Sequence, residues 1–372
     1  MAAPNIQELL TLAVEQKASD IHLTVNIPPV FRVNGELVPL CCTGEGTLGV
    51  CLPGTEIKEG EGSEPLSPED IAHLLRQLMS EERLRLFQEA GECDFAYGVP
   101  GLGRFRINCF RQRGSPAVAI RVLNAAIPSL KELGLPEVVA SLARRPNGLV
   151  LVTGPTGSGK STTLAAMIDL INRERRCHIV TLEDPIEYLH RHNRSIVNQR
   201  EIGDDSKSFA GALRAALRED PDVILVGEMR DLETTAITLT AAETGHLVLA
   251  TMHTPNAALT IDRIVDVFPA HQQGQVRIQL AGVLQGIIAQ QLLPRADGKG
   301  RVAAVEVLIA TPAVRNLIRE GKTHQIPGVI QTGTRYGMQS FDQSLRTLHA
   351  RGLITREEMF SRTGDAETLS KG

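Results

Sequence analysis

The stretch that decides the fold is Gly154-Pro155-Thr156-Gly157-Ser158-Gly159-Lys160-Ser161-Thr162. Its first eight residues match G-x-x-x-x-G-K-[ST], the pattern of phosphate-binding loops. The apolar run 148–153 predicts a buried strand before the loop, and residues 162–173 predict a helix after it. A glycine-rich turn in that position brings backbone N–H groups to a helix N-terminus, which favours an anion. The stretch therefore predicts an ATP site, in which Lys160 reaches the β- and γ-phosphates and Ser161 ligates Mg²⁺.

Two carboxylates follow other apolar runs of the same kind. Glu228 ends the run 222–227, and Glu183 comes directly after the run 179–182. Because the carboxyl ends of parallel strands meet at one edge of a sheet, both side chains are expected beside the phosphates. There Glu228 can hold a Mg²⁺-bound water or polarise the attacking water, and Glu183 can act as general base. Carboxylates at strand ends also often cap the next helix, so this assignment depends on the neighbouring loop.

Histidines and arginines complete the set of candidate catalytic groups. His253 lies just beyond the apolar run 247–251, at the predicted phosphate edge, whereas His246 precedes that run and has a less direct role. Phosphoryl transfer also needs positive charge on the transferred group. An arginine-rich stretch in the first domain could supply it to a neighbouring subunit of a ring; the alternative is that these arginines are solvated on a strand face. The stretch contains Arg104, Arg106, Arg111, Arg113 and Arg121.

The remaining sequence predicts two domains. Residues 1–123 predict a smaller α+β domain, 124–135 a linker, and 136–372 an α/β domain whose helical tail starts at about 311. In the second domain, short apolar runs alternate with helices, which is typical of a parallel sheet with right-handed crossovers. In the first domain, Asn34-Gly35 predicts a hairpin turn and Ser67 a helix cap before Pro68. The glycine-rich stretch 41–65 predicts a long, mobile surface loop.

Composition excludes several classes of function. A net charge of −4 argues against a broad basic surface for nucleic acid, and an aromatic content of 3% argues against base stacking. No apolar run approaches the roughly 20 residues of a membrane span, and the N-terminus lacks the pattern of a signal peptide. A cytoplasmic location is therefore expected. The six cysteines contain no CxxC pair, so free thiols are expected.

Four motifs resemble those of the secretion-superfamily ATPases. The segments are GPTGSGKST (154–162), TLEDPIEY (181–188), DPDVILVGEMRD (220–231) and TGHLVLATMHT (244–254), which resemble the Walker A, Asp box, Walker B and His box. The opening ASDIHL (18–23) and the tail segments AVRNLIREGK (313–322) and RYGMQSFD (335–342) are similar to the type IV pilus retraction ATPases within that superfamily. The likeness extends over nearly the whole chain. It departs from the family in Val314, where isoleucine is usual, and in the longer stretch 41–65.

The resemblance implies a homohexameric ring with a PAS-like N-terminal domain, a RecA-like P-loop C-terminal domain and ATP bound between them. It implies catalytic roles for Glu183, Glu228, His246 and His253, Mg²⁺ ligation by Ser161 and Glu228, and arginine fingers at Arg106 and Arg121. It further implies pilus depolymerisation, twitching motility, an inner-membrane pilus platform protein as partner and a peripheral place on the cytoplasmic face of that membrane. Stable nucleic-acid binding is not expected.

Several alternatives stay open at this point. A pilus assembly or type II secretion ATPase would usually carry a paired-CxxC zinc element in the C-terminal half, but no cysteine follows Cys177. An accessory retraction paralogue fits the same motifs less well in the segment 313–322. A nucleotide-binding switch would not need both Glu183 and Glu228, and a nucleic-acid motor would need a basic channel.

Overall fold

The computed structural model of the chain describes residues 5–42, 48–50, 64–123 and 126–363. The chain divides into two compact units, Met1–Ala126 with Glu187–Leu189 and Ile127–Ile186 with His190–Gly372. Within the described residues, each unit is built on one sheet of seven strands. None of the described helices combines the length and apolarity that crossing a bilayer requires.

The first unit is an α+β domain with an antiparallel sheet in the order β4-β3-β2-β1-β7-β6-β5. Its strands are β1 (Asp20–Leu23), β2 (Val30–Val33), β3 (Glu36–Cys42), β4 (Leu48–Val50), β5 (Glu92–Val99), β6 (Gly103–Gln112) and β7 (Ser115–Leu123), and its helices are α1 (Ile6–Glu15), α2 (Pro68–Leu78) and α3 (Glu81–Ala90). One sheet face packs with the three helices into a single core, to which Phe31, Phe105 and Ile107 contribute fully buried side chains. The opposite face carries the polar side chains that alternate with them.

Two local predictions in this unit are confirmed. Asn34 and Gly35 join β2 to β3 with φ angles of 52° and 91°, which is the pair of positive values that a two-residue hairpin turn with right-handed twist requires. Ser67 caps α2 through a reciprocal capping box with Asp70.

The predicted loop over residues 41–65 is wrong at its start. Cys41 and Cys42 belong to β3, and residues 48–50 form β4, which pairs with β3 so that Leu40 lies opposite Val50. The backbone register that the preceding hairpin sets between β2 and β3 continues to the end of β3. Residues 43–47 and 51–63 of the stretch lie outside the described residues. The expectation of free thiols is confirmed for Cys93, Cys109 and Cys177, whereas Cys41 is disulfide-bonded.

The second unit is an α/β domain in which six parallel strands are followed by one antiparallel edge strand, in the order β10-β9-β11-β12-β8-β13-β14. Its strands are β8 (Gly148–Thr153), β9 (His178–Glu183), β10 (Ile196–Glu201), β11 (Val223–Val226), β12 (Leu247–Met252), β13 (Leu284–Pro294) and β14 (Arg301–Ile309). Its helices are α4 (Glu137–Ala143), α5 (Lys160–Glu174), α6 (Phe209–Ala216), α7 (Leu232–Glu243), α8 (Ala257–Asp266), α9 (Ala270–Val283), α10 (Pro312–Arg319), α11 (Ile326–Thr332), α12 (Phe341–Ala350) and α13 (Arg356–Arg362). The predicted α/β fold with a helical tail is confirmed.

Strand β8 shows why the predicted parallel sheet forms. All six of its residues are buried. Leu149 and Leu151 belong to a core on one face of the sheet, and Val150 and Val152 to a core on the other. A strand covered by helices on both faces favours such a continuous apolar run over alternation. Because both of its faces are covered, β8 lies inside the sheet, between β12 and β13. The residues after Thr153 leave the sheet at the carboxyl end of this strand.

Candidate active site

The P-loop leaves the sheet at the end of β8 and enters α5 at Lys160. Gly154, Gly157 and Gly159 have φ angles of 143°, 76° and 87°, values at which side chains are strained. A Cβ at Gly154 would also lie 2.2 Å from the backbone oxygen of Gln290. The loop therefore requires glycine both for its backbone angles and for its close approach to β13. Its backbone N–H groups lie at the N-terminus of a 15-residue helix, which is a ready anion site.

Lys160 lies inside the curve of this loop. Its side chain is 9% exposed, and its Nζ donates to the carbonyl oxygens of Gly154 at 2.9 Å and Pro155 at 3.0 Å. Ser161 and Thr162 follow in the first turn of α5 and are partly exposed, while Pro155, Thr156 and Gly157 are exposed. The loop thus presents an ammonium group, hydroxyl groups and N–H groups together, which is the donor set for a polyphosphate.

Strand register places the other candidate groups at the same edge of the sheet. Thr153 lies opposite Met252, Ala250 opposite Val226, and Val226 opposite Leu182. Parallel strands in this register end close together. The residues that follow those ends are the P-loop, His253, Glu228 and Glu183 respectively.

Glu183 is the last residue of β9, and its carboxylate accepts hydrogen bonds from Thr181 and Gln199. Thr181 Oγ1 donates to Glu183 Oε1 at 2.7 Å, and Gln199 Nε2 donates to the same oxygen at 3.2 Å. The Gln199 amide is itself oriented by the backbone N–H of His190, which donates to its Oε1 at 2.8 Å. These contacts fix the position of the carboxylate at the strand end. The sequence motifs gave no indication of Gln199.

Glu228 forms a cluster with one residue from the same loop and one that follows the next strand. Its Oε1 lies 2.6 Å from Arg230 Nε and 3.3 Å from His253 Nε2. Burial raises the pKa of Glu228, but the hydrogen bond from Arg230 and the charges of His253 and Arg230 outweigh burial, so that the net pKa lies below its usual range. Glu228 is therefore anionic at neutral pH. Arg230 was not singled out from the sequence, although it lies within the quoted segment 220–231.

His246 lies at the opposite end of β12 from His253. Its Nδ1 is 2.9 Å from the carbonyl oxygen of Ala241 near the C-terminus of α7, and Thr244 Oγ1 is 3.2 Å from the same nitrogen. Six strand residues separate it from the phosphate edge, or about 20 Å at the usual rise per residue. The structure does not bring His246 together with the P-loop of its own chain.

The two candidate arginine fingers lie in the first unit. Arg106 on β6 donates from Nε and a terminal nitrogen to both oxygens of Asp94, at 3.3 and 2.8 Å. Arg121 on β7 donates from Nε to Asp20 Oδ1 at 3.1 Å. Both project from the sheet face that is opposite the core. Within the chain they are paired with carboxylates of their own sheet.

The chain is similar to known proteins over most of its length. The model of the type II/IV secretion system protein family matches residues 101–360. The chain is 48% identical over 353 residues to the type IV pilus retraction ATPase PilT of Pseudomonas aeruginosa, covering 95% of this chain and 96% of that protein. It is 51% identical over 305 residues to a twitching motility protein of Neisseria gonorrhoeae, covering 82% of each.

A solved structure shows the same likeness in three dimensions. The pilus retraction motor PilT with bound ADP matches with a TM-score of 0.86 and 51% identity, covering 99% of this chain and 100% of that one. The family model spans well over half of the chain, and the sequence relatives match it over most of their own lengths. The chain therefore belongs to the type II/IV secretion system protein family.

Proposed function

We propose that this protein is an ATP-hydrolysing motor that drives retraction of type IV pili and, through it, twitching motility. The observation that carries the proposal is the P-loop with Lys160 inside its curve, beside two strand-end carboxylates, in a chain similar to pilus retraction ATPases over nearly its whole length. A relative at 51% identity was solved with ADP, which supports a nucleotide at the same loop.

The proposed chemistry assigns one task to each group. Lys160 and the loop N–H groups hold the β- and γ-phosphates, and the Glu183 carboxylate, oriented by Thr181 and Gln199, accepts a proton from the attacking water. We assign to His253, which lies next to Glu228, a contact with the γ-phosphate. His246 keeps its proposed catalytic role only on the strength of the family resemblance.

The residues present suit a magnesium ion. Mg²⁺ prefers hard oxygen ligands and keeps several waters and phosphate oxygens, so it needs few protein ligands. Ser161 offers a hydroxyl at the first turn of α5, and Glu228 offers an ionised carboxylate just beyond the end of β11, two strands away from β8. When bound, the ion would neutralise charge on the transferred phosphoryl group.

The proposed assembly is a homohexamer that acts on an inner-membrane pilus platform protein from the cytoplasmic face of that membrane. Arg106 and Arg121 would serve the nucleotide of a neighbouring subunit. The domain limits 1–123 and 136–372, joined by a linker at 124–135, are part of the proposal. The division of the chain into two compact units near residue 126 supports them.

The decisive experiment measures piliation and twitching in a deletion strain of the source bacterium, complemented with wild type, Lys160→Ala or Lys207→Ala. Lys207 is an exposed lysine of the same unit and serves as the matched control. We expect the deletion strain to carry excess pili that do not retract. Wild type and Lys207→Ala restore twitching, and Lys160→Ala does not, because it loses tight ATP binding.

Other outcomes would select the alternatives. Loss of pili in the deletion strain would indicate a pilus assembly ATPase, and loss of a secreted protein with normal pili would indicate a secretion ATPase. Normal twitching with only partial loss of retraction force would indicate an accessory paralogue. Full rescue by Lys160→Ala would contradict an ATP-driven function altogether.

A further inference from the structure

Gln290 is a polar side chain buried in an apolar strand. It lies on β13, one residue beyond the point where Ala289 is paired with Thr153, and is 3% exposed. The preceding residues Ile287 and Ile288 are fully buried. A buried amide is costly unless its hydrogen bonds are made. Its partners therefore show why glutamine stands at this position.

Both ends of the Gln290 amide are bonded to the P-loop and its helix. Gln290 Nε2 donates to the carbonyl oxygen of Ser158 at 2.8 Å, and Gln290 Oε1 accepts from Thr163 Oγ1 at 2.8 Å. The carbonyl can only accept, so the amide nitrogen must face Ser158 and the orientation of the amide is fixed. One side chain thus connects β13 to the loop and to the first turns of α5.

The two glycines that flank this contact pack directly on Gln290. A Cβ at Gly154 would lie 2.2 Å from the Gln290 backbone oxygen, and a Cβ at Gly159 would lie 2.8 Å from Gln290 Nε2. At contacts under 3.0 Å one of the two groups must shift: the Gln290 backbone oxygen is held in the sheet, and Gln290 Nε2 would have to move away from its hydrogen bond with Ser158. The loop therefore packs against Gln290 at both of its ends, Gly154 and Gly159.

The contact with Ser158 also fixes a neighbouring donor. In a trans peptide the C=O and the following N–H point in opposite directions across one plane. Because the Ser158 carbonyl is directed at Gln290, the Gly159 N–H is directed away from β13. That N–H stands at the N-terminus of α5, where an anion is favoured.

We propose that Gln290 is a positioning residue for nucleotide binding, which orients the Ser158–Gly159 peptide so that its N–H faces the nucleotide phosphates. The inference rests on the proposed function and deepens it, because it names a determinant of phosphate affinity that does not itself touch the nucleotide. Thr163 completes the arrangement by fixing the other end of the amide.

The test compares Gln290→Met with Gln291→Met in the full-length protein. Methionine keeps the length of the side chain and removes both hydrogen bonds, and Gln291 is the adjacent, partly exposed glutamine of the same strand. We measure the dissociation constant for a fluorescent ADP analogue with Mg²⁺, the melting temperature without nucleotide, and KM and kcat for ATP. Gln290→Met is expected to weaken ADP binding by about tenfold, as loss of one or two hydrogen bonds predicts, and to raise KM more than it lowers kcat. Gln291→Met is expected to stay within about twofold of wild type.

A second variant, Gln290→Glu, keeps the test decisive if methionine disturbs folding. An ionised carboxylate would repel the Ser158 carbonyl, whereas the protonated acid can donate to it and still accept from Thr163. Burial raises a carboxyl pKa, so ADP affinity relative to wild type should recover as pH falls from about 9 to about 6. A purely structural role would change melting temperature and the fraction of protein able to bind, with the dissociation constant of that fraction unchanged.

Two results would overturn the inference. One is ADP affinity of Gln290→Met equal to that of wild type, and the other is a Gln290→Glu affinity ratio that does not vary with pH. Failure of the wild-type protein itself to bind ADP would instead contradict the proposed function. The two failures are therefore distinguishable in one set of titrations.

Discussion

Arg106 and Arg121 lie directly opposite each other on neighbouring antiparallel strands. Residues in this relationship have Cβ atoms about 4.5–5.5 Å apart, and like charges there destabilise a sheet. Each arginine is paired with a different aspartate, Arg106 with Asp94 at 2.8 Å and Arg121 with Asp20 at 3.1 Å, which offsets the repulsion. Two guanidinium groups held side by side on one sheet face match the needs of a polyphosphate.

The first prediction concerns the task of these arginines. Arg106→Ala and Arg121→Ala should each lower kcat by about 10²-fold with little change in ATP affinity, because a finger acts mainly on charge that develops in the transition state. Arg32→Ala is the matched control, since Arg32 lies on the same sheet and its Nε is 3.8 Å from the same Asp20. Steady-state ATPase assays with separate binding titrations measure the effects.

Mixing experiments test whether the arginines act between subunits. In a ring, Arg121→Ala subunits keep an intact P-loop and Lys160→Ala subunits keep the arginines. In an equal mixture, roughly a quarter of the interfaces should join an intact P-loop on one subunit to an intact Arg121 on the next. The mixture should therefore show more ATPase activity than either variant alone. A mixture without activity, from subunits shown to exchange, would argue against action in trans.

The second prediction concerns the orientation of Glu183. Glu183→Gln should bind ATP and lose turnover, because an amide cannot accept the proton of the attacking water. Gln199→Leu should keep the carboxylate but lower kcat by about tenfold, because it loses one of the hydrogen bonds that hold Glu183 Oε1. Glu219→Gln, which changes a carboxylate paired with Arg200, is the control and should keep the kcat of wild type.

Nucleotide-binding titrations and single-turnover assays separate the two effects. Normal turnover by Glu183→Gln would show that another group is the general base. A Gln199→Leu variant with unchanged kcat would show that the hydrogen bond from Gln199 is not needed to hold the carboxylate.

The P-loop, its strand and its helix could be predicted because the pattern is local. Six consecutive buried residues, three glycines and an amphipathic helix specify β8, the loop and α5 within one short segment. The positions of Glu183 and Glu228 near the loop follow from a single further rule, that the carboxyl ends of parallel strands meet at one edge of the sheet. The same rule correctly separates His253 from His246, whose ring lies near the C-terminus of α7 instead.

Gln199 and Gln290 could not be predicted, because their importance depends on strand order. Gln199 supports Glu183 because β10 lies beside β9, and Gln290 supports the P-loop because β13 lies beside β8. Neither residue lies near its partner in sequence, and neither belongs to one of the quoted motifs. A glutamine in an apolar strand was the one available signal for Gln290. Its partners become evident only from the register of the folded sheet.

The third prediction divides the tail segment 313–322 into a structural and a functional part. Arg315 donates to the carbonyl oxygens of Ala281 and Gly282 at the end of α9 and, at 3.0 Å, to that of Ala310. Burial lowers the pKa of Arg315, and the nearby charge of Arg319 adds to the effect. Arg315→Ala should therefore destabilise the ATPase domain by about 1–3 kcal/mol, because it leaves helix-end carbonyls without their donor.

Arg319, four residues further along α10, is exposed. Arg319→Ala should keep the melting temperature and the ATPase rate of wild type and impair pilus retraction, if the exposed side of this segment contacts the pilus machinery. Melting curves, ATPase assays and twitching zones measure the three properties. An Arg319→Ala variant that loses ATPase activity would make this surface part of the catalytic ring.

The fourth prediction concerns stability in acid. Burial lowers the pKa of His190 to about 4, and the charge of Asp169 opposes only part of that shift. The unfolded chain takes up a proton near pH 6.5, where the folded chain does not, so unfolding gains protons between about pH 6.5 and pH 4. The stability that depends on a neutral His190 is therefore fully present above pH 6.5 and is lost as pH falls towards 4.

We therefore expect the wild-type protein to lose about 2 kcal/mol more free energy of unfolding than His190→Leu when pH is lowered from 7 to 5. Leucine places an apolar side chain at this partly buried position and cannot bind a proton. His271→Leu, which replaces an exposed histidine of α9, should follow the wild-type profile. Urea unfolding at each pH measures the difference.

Parallel profiles for wild type and His190→Leu would mean that the imidazole is protonated in the folded chain as readily as in the unfolded one. Retained acid sensitivity in the leucine variant would then have to come from carboxylates such as Glu228, whose lowered pKa also ties stability to the ionised form.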